Sequence, residues 1–124
     1  MSAQLTVLVV DDNRSLRPLL RRLLEGRGYR AIEATTGADA IRLIENDPGL
    51  IDLLVTDVLM PGIGGVELGE MLAGRYPELR ILFMSGESDD TAERQATMDP
   101  RRAFLPKPFT ADVFLAAVRD VLNA

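Results

Sequence analysis

The run Leu53-Leu54-Val55-Thr56-Asp57-Val58-Leu59-Met60-Pro61-Gly62 narrows the fold more than any other part of the chain. It is short and apolar, presents one carboxylate at Asp57, and then breaks at Pro61-Gly62. A brief apolar run bounded by turn residues fits a strand covered on both faces, as in a parallel sheet. Asp57 then falls where the strand leaves the core, at its carboxyl end. Open parallel sheets bind ligands at that edge. A lone Asp there also fits an ordinary turn start; the rest of the chain, which repeats the device, decides between the two.

Leu5 to Val10 is a second β-branched apolar run, closed by Asp11-Asp12-Asn13, and reads as a strand with two carboxylates at its carboxyl end. A helix follows over about Arg14 to Glu25, with Leu16, Leu19, Leu20, Leu23 and Leu24 at helical spacing and Arg17, Arg21 and Arg22 opposite. Asn13 or Ser15 can cap it, and a start near Ser15 leaves Pro18 in the first turn, where proline is tolerated. Gly26 and Gly28 stop it.

Tyr29 to Ala34 is more polar, which suggests an edge strand. Thr36 caps a second helix, Gly37 to Asn46, with Ala40, Ile41 and Ile44 inward. The third strand spans about Ile51 to Thr56, and after the Pro61–Gly65 loop a helix from Val66 to Arg75 turns Leu68, Met71 and Leu72 inward. Arg80 to Met84 is the fourth strand, with Ser85-Gly86 at its carboxyl end. Asp89 to Met98 has few apolar residues and predicts a short, loosely packed helix. Ala103-Phe104-Leu105 is a short fifth strand ending in Pro106-Lys107-Pro108. Thr110 caps a last helix whose stripe is Val113, Phe114, Ala117, Val118, Val121 and Leu122.

Five strands alternating with five helices across short connections demand an α/β domain, a doubly wound parallel sheet with helices on both faces. The 124 residues form one domain, 1–124, with no linker or repeat. The chain has no cysteine, so disulfides and thiolate metal sites are excluded, and no histidine, the commonest general base and transition-metal ligand. No apolar run approaches the roughly 20 residues that span a bilayer, and no secretory pattern opens the chain, so a cytoplasmic protein is expected. A net charge of −5 argues against direct nucleic-acid binding.

Asp11 and Asp12 end the first strand, Asp57 the third, Ser85 the fourth and Lys107 the fifth, so all lie on one edge of the sheet. In strand order 2-1-3-4-5 the first and third strands are neighbours, and the switch-point crevice opens between them. Three carboxylates there repel one another unless a cation joins them. With only oxygen donors available, the cation is a hard one, Mg²⁺ or Mn²⁺, whose open positions go to water or phosphate oxygens. A flanking ammonium and hydroxyl suit a phosphoryl group. Of the 14 basic residues only Lys107 is not arginine, consistent with a need for a compact ammonium at that point.

The motifs Val9-Val10-Asp11-Asp12-Asn13, Val55-Thr56-Asp57-Val58-Leu59-Met60-Pro61-Gly62, Met84-Ser85-Gly86 and Phe104-Leu105-Pro106-Lys107-Pro108-Phe109 closely resemble, in order and spacing, the receiver domain of two-component response regulators. The resemblance covers the whole chain and implies a flavodoxin-like receiver fold. It makes Asp57 the phosphoacceptor, taking its phosphoryl group from a phosphohistidine of a sensor histidine kinase or histidine phosphotransfer protein. It assigns Mg²⁺ to Asp12 and Asp57 with the backbone carbonyl of Leu59, Asp11 acting mainly through water, and pairs Lys107 with the phosphoryl oxygens. Ser85 becomes the switch hydroxyl and Phe104 the switch aromatic, with output through the fourth helix, fifth strand and fifth helix to a downstream target protein. It also implies a cis peptide at Lys107-Pro108.

Two positions depart from the common pattern: Leu59, two residues past the phosphoacceptor, is apolar, and Glu87 lies two past Ser85. Both would flank the path of a hydrolytic water, and an apolar Leu59 is expected to slow loss of the phosphoryl group. Gly65 stands where many receivers carry a glycine. Two rival readings are a pseudo-receiver, an interaction module that takes no phosphate, and a flavodoxin-like redox protein. The first is opposed by the filled acid, hydroxyl and lysine positions. The second is opposed by Asp-Asp-Asn-Arg after the first strand, in place of a phosphate loop, and by an aromatic content of 5%. No effector domain is expected after the fifth helix, so the chain reads as a stand-alone receiver or one excised from a larger regulator or hybrid kinase.

Overall fold

The computed structural model describes residues 4–87 and 89–124. Five parallel strands, β1 (Thr6–Val10), β2 (Arg30–Ala34), β3 (Leu53–Asp57), β4 (Arg80–Ser85) and β5 (Arg102–Pro106), form one sheet in the order β2-β1-β3-β4-β5. Helices α1 (Leu16–Glu25), α2 (Gly37–Asn46), α3 (Gly65–Arg75), α4 (Asp90–Met98) and α5 (Ala111–Leu122) alternate with them. The architecture is the doubly wound one expected from the alternation of apolar runs and amphipathic stretches.

Residues of β1, β3 and β4 are almost wholly buried because helices cover both faces. On one face Leu8, Val10, Leu54, Ile81 and Phe83 pack with Ala40 and Ile44 of α2, Leu68 and Leu72 of α3, and Ala92 of α4. On the other, Val7, Val9, Leu53, Val55, Leu82 and Met84 pack with Leu20 and Leu24 of α1 and Phe114, Leu115, Val118 and Val121 of α5. Successive strand residues thus feed opposite cores. The edge strand β2 is only partly covered, as its polarity predicts.

The apolar stripes are narrower than their periodicity suggests. Met71, Val113 and Leu19, expected inward, are 46%, 50% and 48% exposed. On α3 and α5 the buried faces instead take in Gly69 and Leu115, two residues away and so nearly opposite on the helix. Of the two candidate caps for α1, Asn13 acts: its Oδ1 accepts from the N–H groups of Ser15 and Leu16, each at 2.9 Å. Thr36, Asp89 and Thr110 cap α2, α4 and α5 through their side-chain oxygens. The fourth helix buries only Ala92, in keeping with the loose packing expected there.

Candidate functional site

The strand register brings the expected residues to one rim. Val10 pairs with Thr56, Asp57 with Met84, and Ser85 with Pro106, so Asp11, Asp57, Ser85 and Lys107 all fall at carboxyl ends of adjacent strands. Two backbone bonds fasten the rim: Val58 N–H donates to the Met84 carbonyl and Lys107 N–H to the Ser85 carbonyl, both at 2.8 Å. The Lys107-Pro108 peptide is cis.

Three carboxylates converge there. One oxygen each of Asp11, Asp12 and Asp57 lie within 4.8 Å of one another. Asp11 is fully buried, Asp57 nearly so, and Asp12 exposed. A buried carboxylate is costly unless paired and hydrogen-bonded, and Asp11 has both remedies. Its Oδ1 accepts from Asn13 N–H at 2.9 Å, and its Oδ2 lies 3.2 Å from Lys107 Nζ. The same ammonium is 3.5 Å from Asp57 Oδ1. Lys107 therefore bridges the two buried acids.

One ammonium does not neutralise three carboxylates. Burial pushes the Asp57 carboxyl above the usual aspartate range; Lys107 opposes this, while the charges of Asp11 and Asp12 add to it. A further cation at this point relieves the repulsion, and the donor set, carboxylate oxygens only, suits a hard divalent ion such as Mg²⁺.

Ser85 is buried at the end of β4, and its Oγ accepts from Glu87 N–H at 3.1 Å. Phe104 pairs with Phe83 across β4 and β5 and is partly buried against the core shared by α2, α3 and α4. Leu59, by contrast, projects outward and is 56% exposed.

Three residues named in the sequence gain roles there that the sequence did not reveal. Gly65 opens α3 so close to the end of β3 that a Cβ would overlap the Asp57 carbonyl and stand 2.9 Å from Val58 Cα. Gly62, at φ 78°, takes the left-handed conformation the preceding loop requires. Arg17 reaches the Asp11 carbonyl oxygen with Nη1 at 2.8 Å. The available signal for Arg17 was an acid, Glu33, in a half-buried edge strand facing two arginines one helical turn apart.

A family model for the response regulator receiver domain matches residues 7–119. This chain is a response regulator receiver domain. Among its relatives, the receiver is 34% identical over 123 residues to the sensor kinase CckA of Brucella abortus (strain 2308), covering 99% of this chain and 13% of that protein. It is 39% identical over 118 residues to the response regulator MprA of Mycobacterium tuberculosis (strain ATCC 25177 / H37Ra), covering 94% of this chain and 50% of that one. A crystal structure of the receiver domain from the hybrid histidine kinase CckA superposes with a TM-score of 0.79 at 33% identity, covering 94% of this chain and 98% of that one. The chain thus spans half or less of the full-length relatives it matches. Receivers are signalling domains of two-component systems that interact with histidine kinases. No helix among the described residues is long and apolar enough to cross a membrane.

Proposed function

We propose that this receiver is a phosphorelay switch in which Asp57 accepts a phosphoryl group from a phosphohistidine of a sensor histidine kinase or histidine phosphotransfer protein. A P–O bond forms to the Asp57 carboxylate as the P–N bond breaks, and its electron pair stays on the donor imidazole. The observation that carries this reading is the placement of Lys107 Nζ at 3.2 Å from Asp11 and 3.5 Å from Asp57, at the rim where three carboxylates meet. The bridging lysine would turn to the phosphoryl oxygens once they arrive, and transfer is then chiefly positioning and electrostatics.

Asp11, Asp12, Asp57 and the Leu59 carbonyl would hold Mg²⁺, with Mn²⁺ as a substitute; the ion's contribution is to offset charge on the transferring oxygens. Ser85 would turn its hydroxyl from Glu87 N–H to the phosphoryl group, and Phe104 would move inward. The face built by α4, β5 and α5 then repacks and presents itself to a target protein. The setting is cytoplasmic, with no role for membrane or direct nucleic-acid binding.

Intact-mass measurement after incubation with acetyl phosphate and Mg²⁺ tests the core of this reading. The wild type should gain one phosphoryl mass; Asp57→Asn, or omission of the metal, should abolish the gain. A gain that survives Asp57→Asn places the chemistry elsewhere. Exposed Leu59 offers no polar group to orient a hydrolytic water, so Leu59→Asn should lose its phosphoryl group severalfold faster in a timed decay. An unchanged half-life removes Leu59 from the hydrolytic path.

A further inference from the structure

We infer that Arg17 is a positioning residue for the acid pair, aiming Asp12 by clamping the peptide that joins it to Asp11. The inference rests on the acid site proposed above and names a residue outside it. Arg17 lies in the first turn of α1 with its side chain 14% exposed. Its Nη1 donates to the Asp11 carbonyl at 2.8 Å, and its Nε donates to Glu33 Oε1 at 2.9 Å. The second oxygen of Glu33 takes Arg21 Nη1 at 2.9 Å. One carboxylate on β2 thus holds two arginines of α1, one of which ends on the backbone of the acid pair.

The clamp sits where the sheet stops holding that backbone. The β1–β2 register ends at Val10 and Ala34, and Asp11 N–H still reaches the Ala34 carbonyl only at 3.4 Å. The next peptide runs from the Asp11 carbonyl to the Asp12 N–H and turns as one plane. A donor locked on that carbonyl therefore sets the direction in which Asp12 leaves the strand. Asp12 is the exposed member of the three acids and lacks the Lys107 contact that steadies the other two. An arginine fork held at its other nitrogen by Glu33 is a stiffer clamp than a lysine would be.

Two physical effects of removing Arg17 have opposite signs. As a nearby positive charge, Arg17 weakens cation binding, so its loss by field alone tightens Mg²⁺. As a clamp, its loss frees Asp12 and weakens Mg²⁺, and partners of this kind are typically worth about 10-fold in metal affinity. The direction of the change distinguishes them.

The test uses Arg17→Met, Arg17→Lys and Glu33→Gln, read by amide hydrogen exchange of Asn13, whose N–H on the far side of Asp12 is held by Asp11 Oδ1, without metal, by Mg²⁺ titration, and by thermal unfolding. Arg17→Met should show severalfold faster exchange at Asn13 and Mg²⁺ binding weakened by about 10-fold. Arg17→Lys should recover part of both, and Glu33→Gln should shift both the same way by less. Unchanged Asn13 exchange, exchange raised uniformly along the chain, or unchanged or tighter Mg²⁺ binding overturns the inference. If Arg17→Met does not fold, the other two variants decide by the same criteria. A wild type that binds no Mg²⁺ defeats the acid-site reading instead, and Asn13 exchange still reports on Arg17.

Discussion

The receiver's site joins two corners of unlike stiffness. On one side, β1, β3 and α1 are tied by buried leucines, the Asn13 cap, the Arg17–Glu33–Arg21 cluster and the Lys107 bridge. On the other, α4 buries one alanine, carries Met98 78% exposed, and reaches α3 through a Gln95–Glu70 hydrogen bond of 3.1 Å on the surface. Beneath that corner, Arg102 lies two residues before Phe104 on the same strand face. It is buried and donates to the carbonyls of Leu79 at 3.0 Å and Arg101 at 3.3 Å. Burial lowers the pKa of its guanidinium. The contrast teaches how such a domain divides its work. Under the proposed function, the groups that would meet a phosphoryl donor in fixed geometry sit in the stiff corner, and the loosely held helix is the element a small change would shift.

The comparison breaks if α1 proves no better anchored than α4. Leu20→Ala, which empties a fully buried position in α1, should cost about 2–5 kcal/mol in chemical denaturation. Gln95→Ala in α4 should stay within about 0.5 kcal/mol. Equal losses would remove the asymmetry.

Gly65→Ala sharpens it. The added methyl meets backbone rather than a flexible side chain, so the stiff corner has to deform at a cost of about 1–3 kcal/mol. Because the obstructing group is the Asp57 carbonyl, acetyl phosphate labelling of Asp57 should slow as well. Normal labelling in a folded Gly65→Ala protein would mean that this corner yields easily.

A smaller effect concerns charge. Burial holds the Asp57 carboxyl above the ordinary aspartate range, with Lys107 opposing and Asp11 and Asp12 reinforcing. A carboxyl whose pKa is raised by folding contributes full stability below its unfolded pKa and loses that contribution as pH rises through the folded value. Without metal, Asp57→Asn should therefore be more stable than wild type at neutral pH, and the gap should close below about pH 4. Melting curves at both pH values check this; a gap that widens on acidification reverses the sign.

Much of this was legible in the residues in order. The alternation of apolar runs with amphipathic stretches determined five strands, five helices and a buried parallel sheet, because side-chain periodicity and turn residues act locally. The same local logic determined that Asp11, Asp12, Asp57, Ser85 and Lys107 follow or end strands, hence share one rim. What only the tertiary structure decided are matters of what lies opposite. Leu19, Met71 and Val113 obey helical spacing yet face solvent, since the width of a buried stripe depends on how far the neighbour extends. Gly65 is required by a backbone eight positions earlier in the chain, and Arg17 finds the Asp11 carbonyl only because β2 sets Glu33 beside α1. A residue's own periodicity carries no record of the partner that folding brings to it.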